Sequence, residues 1–316
     1  MTATPVSVST TDSDGVDCFG DAGAHRRRPR MLGAPLESVC VGEDHGCGVD
    51  ARRQLLCWGE GVAARVPQLL RDVNVAAVSC GAHHTCVVLV EGQQAVCFGE
   101  QSLEVPDYLT FKAVTVDGDA LSPAGLGYSV QVVQEFAFTA LACGRTHTCG
   151  LRPGGQVLCW GTASLANWQS PAIDATFTEL STFGDLVCGI RQVGNTIECF
   201  GVVPPGALAA PPAGTFRAVA TGERHVCALR ADNRHNMPSR KGSGSSLVCW
   251  GEDSHGQASP PKGAFIRVSA GAYHACAIDE RFALVCWGQK EPVVGMDDAR
   301  SMENRRTTGV SENLFL

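Results

Sequence analysis

Long apolar runs are missing from this chain of 316 residues, and so are the motifs of the commoner enzyme classes. No stretch approaches the roughly 18 uninterrupted apolar residues of a membrane-crossing helix, so none is expected. A Gly-x-x-x-x-Gly-Lys-Ser/Thr phosphate loop, a Gly-x-Ser-x-Gly elbow, a His-Glu-x-x-His pair and a kinase signature are all absent from the sequence. No catalytic residue, metal or small-molecule cofactor is therefore assigned. A basic excess is lacking too: the formal charge is −7, which disfavours broad binding to nucleic-acid phosphates. The local exception, His25-Arg26-Arg27-Arg28-Pro29-Arg30, reads as a solvated loop ahead of an import signal. The opening Met1-Thr2-Ala3-Thr4-Pro5 has no basic start and leads into no apolar core, unlike a signal peptide.

Glycine and cysteine are plentiful instead, at 36 and 16 residues. They fall in a phrase that occurs six times: Gly-x-x-His-x-Cys, a polar turn, then apolar-x-Cys-Trp/Phe-Gly. It runs as Gly42…His45-Gly46-Cys47…Cys57-Trp58-Gly59 and closes as Cys276…Cys286-Trp287-Gly288. Its second cysteines, counted from Cys18, are separated by 39, 40, 62, 40, 50 and 37 residues, a unit of about 39 with two insertions. Such a unit cannot bury its own apolar face, so successive copies must pack together. Alternation in Val157-Leu158-Cys159-Trp160 and in His225-Val226-Cys227-Ala228-Leu229 marks short strands.

The fold expected is all-β, a β-propeller. Asp14-Gly15-Val16-Asp17-Cys18-Phe19-Gly20 is the back half of a unit. Thr308 to Leu316 aligns in phase with a front half, placing Leu314 38 residues after Cys276 and opposite Cys18. Seven blades closed by the two chain ends are expected, because closure leaves no open sheet edge; six are the alternative. Residues 1–13 are expected to be disordered, and 14–316 to form one propeller domain with insertions near 101–135 and 231–246.

Within each phrase the two cysteines are equidistant from a turn, as at Pro153-Gly154-Gly155 between Cys149 and Cys159. Residues so placed face each other across a hairpin, close to disulfide range. The candidate pairs are Cys47 with Cys57, Cys86 with Cys97, Cys149 with Cys159, Cys188 with Cys199, Cys227 with Cys249, and Cys276 with Cys286. Closing a loop of about ten residues stabilises by roughly 2 to 3 kcal/mol in the chain-entropy account. Cys18 is expected free, whereas Cys40, Cys80 and Cys143 either bridge adjacent blades or stay reduced. His45, His84, His147, His225 and His274 each stand two residues before a cysteine. That spacing offers two ligands on one strand face, but a metal needs a third and fourth. A hydrogen-bonding role within the blade is the expectation, and metal binding is not. The six glycines ahead of the histidines, or of Leu186 in the fourth unit, and the six after the aromatics are read as supplying tight backbone conformations. Trp58, Trp160, Trp250 and Trp287, with Phe19, Phe98 and Phe200, are read as filling equivalent gaps between blades.

The His225-Val226-Cys227-Ala228-Leu229…Val248-Cys249-Trp250-Gly251 phrase, followed by His255-Gly256-Gln257, resembles the regulator-of-chromosome-condensation propeller superfamily. With a cysteine on each hairpin strand, the unit is similar to the ectodomain of the plant crinkly receptor-like kinases. The resemblance covers roughly residues 14 to 290 and implies a seven-bladed propeller used for binding. The sequence departs from the pattern in its fourth unit, where Phe183-Gly184-Asp185-Leu186-Val187-Cys188 is one residue short and carries Leu186 in place of histidine. Function is then expected where the repeat is interrupted. The candidate contacts are Tyr108 and Tyr128 in the first insertion, and Arg234, His235, Arg240 and Lys241 in the basic second one. The expected role is non-enzymatic: a disulfide-stapled, receptor-like module, extracellular or lumenal, presenting loops to a protein or peptide. The alternative is a cytoplasmic or nuclear propeller that binds a small GTPase or chromatin, in the manner of a guanine nucleotide exchange factor.

Overall fold

The computed structural model describes residues 7–11, 15–19, 36–43, 45–59, 61–99, 111–113, 129–133, 136–161, 174–202, 210–231 and 244–289. Apart from one 3-10 turn, Gln68–Leu70, every regular element among them is a strand. β1 (Ser7–Thr11) and β2 (Gly15–Phe19) form a two-stranded sheet. β3 (Leu36–Val41), β4 (His45–Asp50) and β5 (Leu55–Gly59) make the first full blade. The second is β6 (Val75–Cys80), β7 (His84–Leu89) and β8 (Ala95–Gly99), extended at its outer edge by β10 (Ser129–Val133) and β9 (Phe111–Ala113). The third is β11 (Ala140–Cys143), β12 (His147–Leu151) and β13 (Val157–Gly161), and the fourth is β14 (Phe177–Phe183), β15 (Leu186–Arg191) and β16 (Ile197–Gly201). β17 (Phe216–Thr221), β18 (His225–Arg230) and β19 (Leu247–Gly251) form the fifth, and β20 (Phe265–Ala270), β21 (His274–Asp279) and β22 (Leu284–Gly288) the sixth. All pairings are antiparallel, and each first strand lies against the preceding sheet, in chain order from β1 to β20.

Side-chain hydrogen bonding sets the hairpin turns. Asp50 accepts from the backbone N–H of Arg52 and Gln54 at 2.9 and 2.8 Å, and Arg53 takes φ +64°. Asp279 repeats the device with Arg281 and Ala283, at 2.7 and 2.9 Å. Such aspartate turns fix the register of the strands they join. In both hairpins the cysteines fall opposite each other, Cys47 facing Cys57 and Cys276 facing Cys286, and the other four blades keep the same register. Five of the six first strands carry a β-bulge near their start, as between Leu36 and Ser38, which locally strengthens the strand twist.

The core lies between blades. Phe98 of the second blade packs with Cys47 and Val49 of the first, Trp160 of the third with Cys86 and Val88 of the second, and Trp250 of the fifth with Leu186 and Ile190 of the fourth. Phe98, Trp160, Phe200, Trp250 and Trp287 thus fill the gap to the blade before them, as their spacing implies.

Two features add to the sequence expectation. β1 lies within residues 1–13 and pairs with β2, so that Val8 faces Cys18. Val8 and Cys18 occupy the register that Cys47 and Cys57 hold in the first blade, so β1 takes the middle-strand place. A hairpin across three residues closes at far lower entropic cost than a pairing between the chain ends. Leu314 itself lies outside the described residues. The first insertion also contributes structure: its β10 runs along β8 with Gln131 opposite Cys97, covering what would otherwise be a bare sheet edge.

Candidate functional site: the inter-blade seam and the turn rim

The repeated Gly-x-x-His turn builds a seam. In the first blade the Gly42 N–H donates to the His45 carbonyl at 2.8 Å, folding the imidazole back over the glycine, and the same bond recurs at Gly81, Gly144, Gly222 and Gly271. A Cβ on Gly222 would strike the His225 ring and stand 2.5 Å from the Gly271 carbonyl oxygen of the next blade. These glycines are needed for close approach, whereas Gly59, Gly99, Gly161, Gly201, Gly251 and Gly288 after the aromatics do adopt positive φ. Gly184, in the shortened fourth unit, has open space where its Cβ would go and instead takes φ +58°.

The side chains of His45 and His84 reach across the seam. His45 Nε2 lies 2.8 Å from Thr85 Oγ1 of the second blade, and His84 Nε2 lies 3.0 Å from Thr148 Oγ1 of the third. Burial lowers the pKa of His84, His147 and His225 to about 4. They are neutral struts at physiological pH, and acid–base catalysis is not the work they are placed for.

A second tie runs along the first strands, one step off register. Cys40 stands opposite Cys47, and Ser79 opposite Cys86, so the two are equivalent; Cys80 and Cys143 are equivalent at the next position. Each tie joins the first position of one blade to the second position of the next. Between the first and second blades it is a disulfide, Cys40–Cys80, with Cα atoms 5.3 Å apart. Between the second and third, the Cys143 N–H donates to Ser79 Oγ at 3.1 Å and the thiol donates to the Ser79 carbonyl at 3.4 Å. Between the fourth and fifth, Ser181 Oγ lies 2.8 Å from Thr221 Oγ1, and Glu179 accepts from the Val219 N–H at 3.1 Å.

The six hairpin pairs, Cys47–Cys57, Cys86–Cys97, Cys149–Cys159, Cys188–Cys199, Cys227–Cys249 and Cys276–Cys286, are disulfides with Cα separations of 4.0 to 4.1 Å. Cys143 is a free, buried cysteine, and burial pushes its thiol up to about 11. The seam also gathers donors that a single blade lacks. His84, Cys86 and Cys143 bring ligand atoms within 4.8 Å of one another, as do His45, Cys47 and Cys80. In each group the third donor comes from the next blade, so no single repeat contains the set.

Accessible variation is carried by Glu43, His83, Arg145, Glu223, Arg224 and Tyr273 within the Gly-x-x-His turns and by the loop after β19, whereas Ala82 and Ala272 of the same turns are buried. Here His83 Nε2 stands 3.4 Å from Glu43 of the preceding blade, and Arg224 pairs with Glu252 at 3.6 Å. The Tyr273 hydroxyl donates to Glu223, which together with partial burial holds its pKa above the ordinary tyrosine value. His255 stacks at a tilt on Tyr273, with ring centroids 5.5 Å apart. Beneath them Gln257 is buried, accepting from the His255 N–H at 2.8 Å and from Trp287 Nε1 at 3.0 Å. The sequence nowhere marks Glu43, His83, Glu223, Arg224 and Tyr273 as contacts, because in each copy they are the positions that vary. Tyr108, Tyr128, Arg234, His235, Arg240 and Lys241 lie outside the described residues.

The fold is that of a β-propeller, and its repeats resemble those of the regulator-of-chromosome-condensation propellers and the crinkly ectodomains. A model of the regulator of chromosome condensation (RCC1) repeat matches residues 138–164 and 216–257, the third blade and the fifth with its exit loop. The CRINKLY WD40 ectodomain of the receptor kinase ACR4 from Arabidopsis thaliana superposes with a TM-score of 0.63 at 22% identity, over 90% of this chain and 96% of that one. The entire ectodomain of the receptor kinase CR4 from Physcomitrella patens gives 0.59 at 20% identity, over 81% of this chain and 65% of that one. Prp20p from Saccharomyces cerevisiae gives 0.56 at 15% identity, over 79% of this chain and 71% of that one. At these identities the likeness is one of fold. No helix among the described residues is long and apolar enough to cross a membrane.

Proposed function

We propose that this chain is a non-enzymatic binding module, a disulfide-stapled propeller that presents its rim turns and insertions to a protein or peptide in an extracellular or lumenal setting. The observation that carries the reading is the division of labour within each repeat. The recurring glycine, histidine, cysteine and aromatic residues are spent on seams and staples, while Glu43, His83, Arg145, Arg224 and Tyr273 occupy equivalent turns of a rigid frame and differ from blade to blade. Rigid scaffolds with variable loops are the usual platform for recognition. Seven disulfides favour an oxidising compartment, and the fold shared with plant receptor ectodomains is consistent with a receptor-like role.

A second reading, an intracellular propeller engaging a small GTPase or chromatin, draws on the Prp20p fold. That yeast protein has described binding properties toward Gsp1p and histones. The deciding experiment is the intact mass of the natively purified chain, alkylated with and without prior reduction. Fourteen bonded cysteines support the exported module; sixteen alkylated thiols without reduction give the place to the intracellular reading. Once a partner is in hand, shortening residues 232–242 to a tight turn and replacing Glu223, Arg224 and Tyr273 with alanine should weaken binding without lowering the melting temperature. Unaltered affinity in both variants removes the rim and the basic insertion as the contact surface.

A further inference from the structure

We propose that, in reducing surroundings, the seam between the second and third blades is a zinc-class metal site built from His84, Cys86, Cys97 and Cys143. The donors converge on one point that the structure already marks. The hydroxyl of Thr148 lies 3.0 Å from His84 Nε2, 3.4 Å from Cys86 Sγ and 3.5 Å from Cys143 Sγ, so a single small group touches all three. The fourth donor, Cys97, is bonded to Cys86 and shares the same buried region. Three thiolates and one imidazole are a usual donor set for tetrahedral structural zinc, and all four residues are buried, as in closed sites. The ligands come from β7, β8 and β11, so a bound ion would join two blades as the Cys40–Cys80 bond joins the pair before them.

The chemistry balances with a thiol reductant of the glutathione class. Two such thiols are oxidised to their disulfide while the Cys86–Cys97 bond takes up two electrons and two protons, leaving two cysteine thiols. The metal dication then displaces three protons to solvent, one each from Cys86, Cys97 and Cys143, and accepts the lone pair of neutral His84. Thr148 must turn its hydroxyl aside, a rotation about χ1. This inference does not depend on the rim-binding reading, because it concerns buried groups and is assayed without a partner.

The test titrates the full chain, reduced with a phosphine, first with cobalt(II) and then with zinc(II). Thiolate-to-cobalt charge-transfer absorption with tetrahedral ligand-field bands, bleached by zinc, is the expected result, and Cys143→Ser should bind one equivalent fewer per chain than the wild type. Equal stoichiometry in that variant overturns the site. So does a wild-type cobalt spectrum without thiolate bands, or a reduced chain that loses its β-sheet circular dichroism and holds no metal. Should Cys143→Ser fail to fold, Cys97→Ser is read in the same way, and the wild-type spectrum remains decisive by itself.

Discussion

Replacing Ser79 with cysteine should join the second blade to the third by a covalent bond, because Ser79 and Cys143 hold the positions that Cys40 and Cys80 hold one seam earlier. Those bonded residues have Cα atoms 5.3 Å apart, and Ser79 already contacts Cys143 through a 3.1 Å hydrogen bond to its backbone. The residues are separated by 64 positions in the chain, for which the chain-entropy relation gives about 4 kcal/mol at 25 °C. The existing Cys86–Cys97 staple shortens the effective loop by about ten residues, which lowers that figure only by a tenth or two, since the dependence is logarithmic. Losing the serine hydroxyl costs about 1 kcal/mol in hydrogen bonding. The entropic gain is the larger effect and leaves a net of about 3 kcal/mol, or a melting temperature about 5 °C higher for a domain near this size. Thiol counting on the oxidised variant should find Cys143 no longer free, and calorimetry under oxidising and reducing conditions isolates the new bond. A variant with both thiols free, or one that bonds but melts no higher than wild type, would refute the equivalence of the two seams.

The buried histidines set an acid limit. Their folded pKa of about 4 lies below the unfolded value of 6.5, so the unfolded chain binds protons that the fold excludes. Stability contributed by keeping them neutral is present above pH 6.5, falls as the pH drops toward 4 and levels off below it, by on the order of 3 kcal/mol per histidine. Denaturant titrations between pH 7 and 4 measure this, and a midpoint that does not move across that range contradicts it. Gly222→Ala should destabilise by about 1 to 3 kcal/mol through its collision with His225 and Gly271, whereas Gly184→Ala, with no atom in the way, meets only a backbone penalty near 1 kcal/mol. Paired urea melts compare them, and equal losses count against the close-approach account. Opening the staple of the fifth blade with Cys227→Ala and Cys249→Ala together removes a bond spanning 22 residues and should lower stability by about 3 kcal/mol in the same assay.

Much of the blade was legible because a hairpin has a period of two and a fixed register. Once Gly154 is taken as a turn, Cys149 must face Cys159, and the aromatic after it must fall at one depth in every copy. The tie between Cys40 and Cys80 was not legible in the same way. Its two ends occupy successive rather than equivalent positions, a displacement created by how adjacent sheets pack. The seam cluster stayed hidden for a related reason, since Cys143 reaches His84 only across a blade boundary. Weak periodicity also concealed β1 and β10, short strands that form because a neighbouring edge is available to pair with.

The amino-acid sequence alone determined that this protein is a repeating all-β chain, which cysteines pair inside each blade, and where the aromatics lie. All of these follow from local chain geometry repeated at a constant interval. Only tertiary structure decided how one blade is fastened to the next: which histidine meets which threonine, which cysteine finds a partner 40 residues away, and which one is left as a thiol. Those outcomes depend on the offset between packed sheets, a quantity that no single repeat encodes.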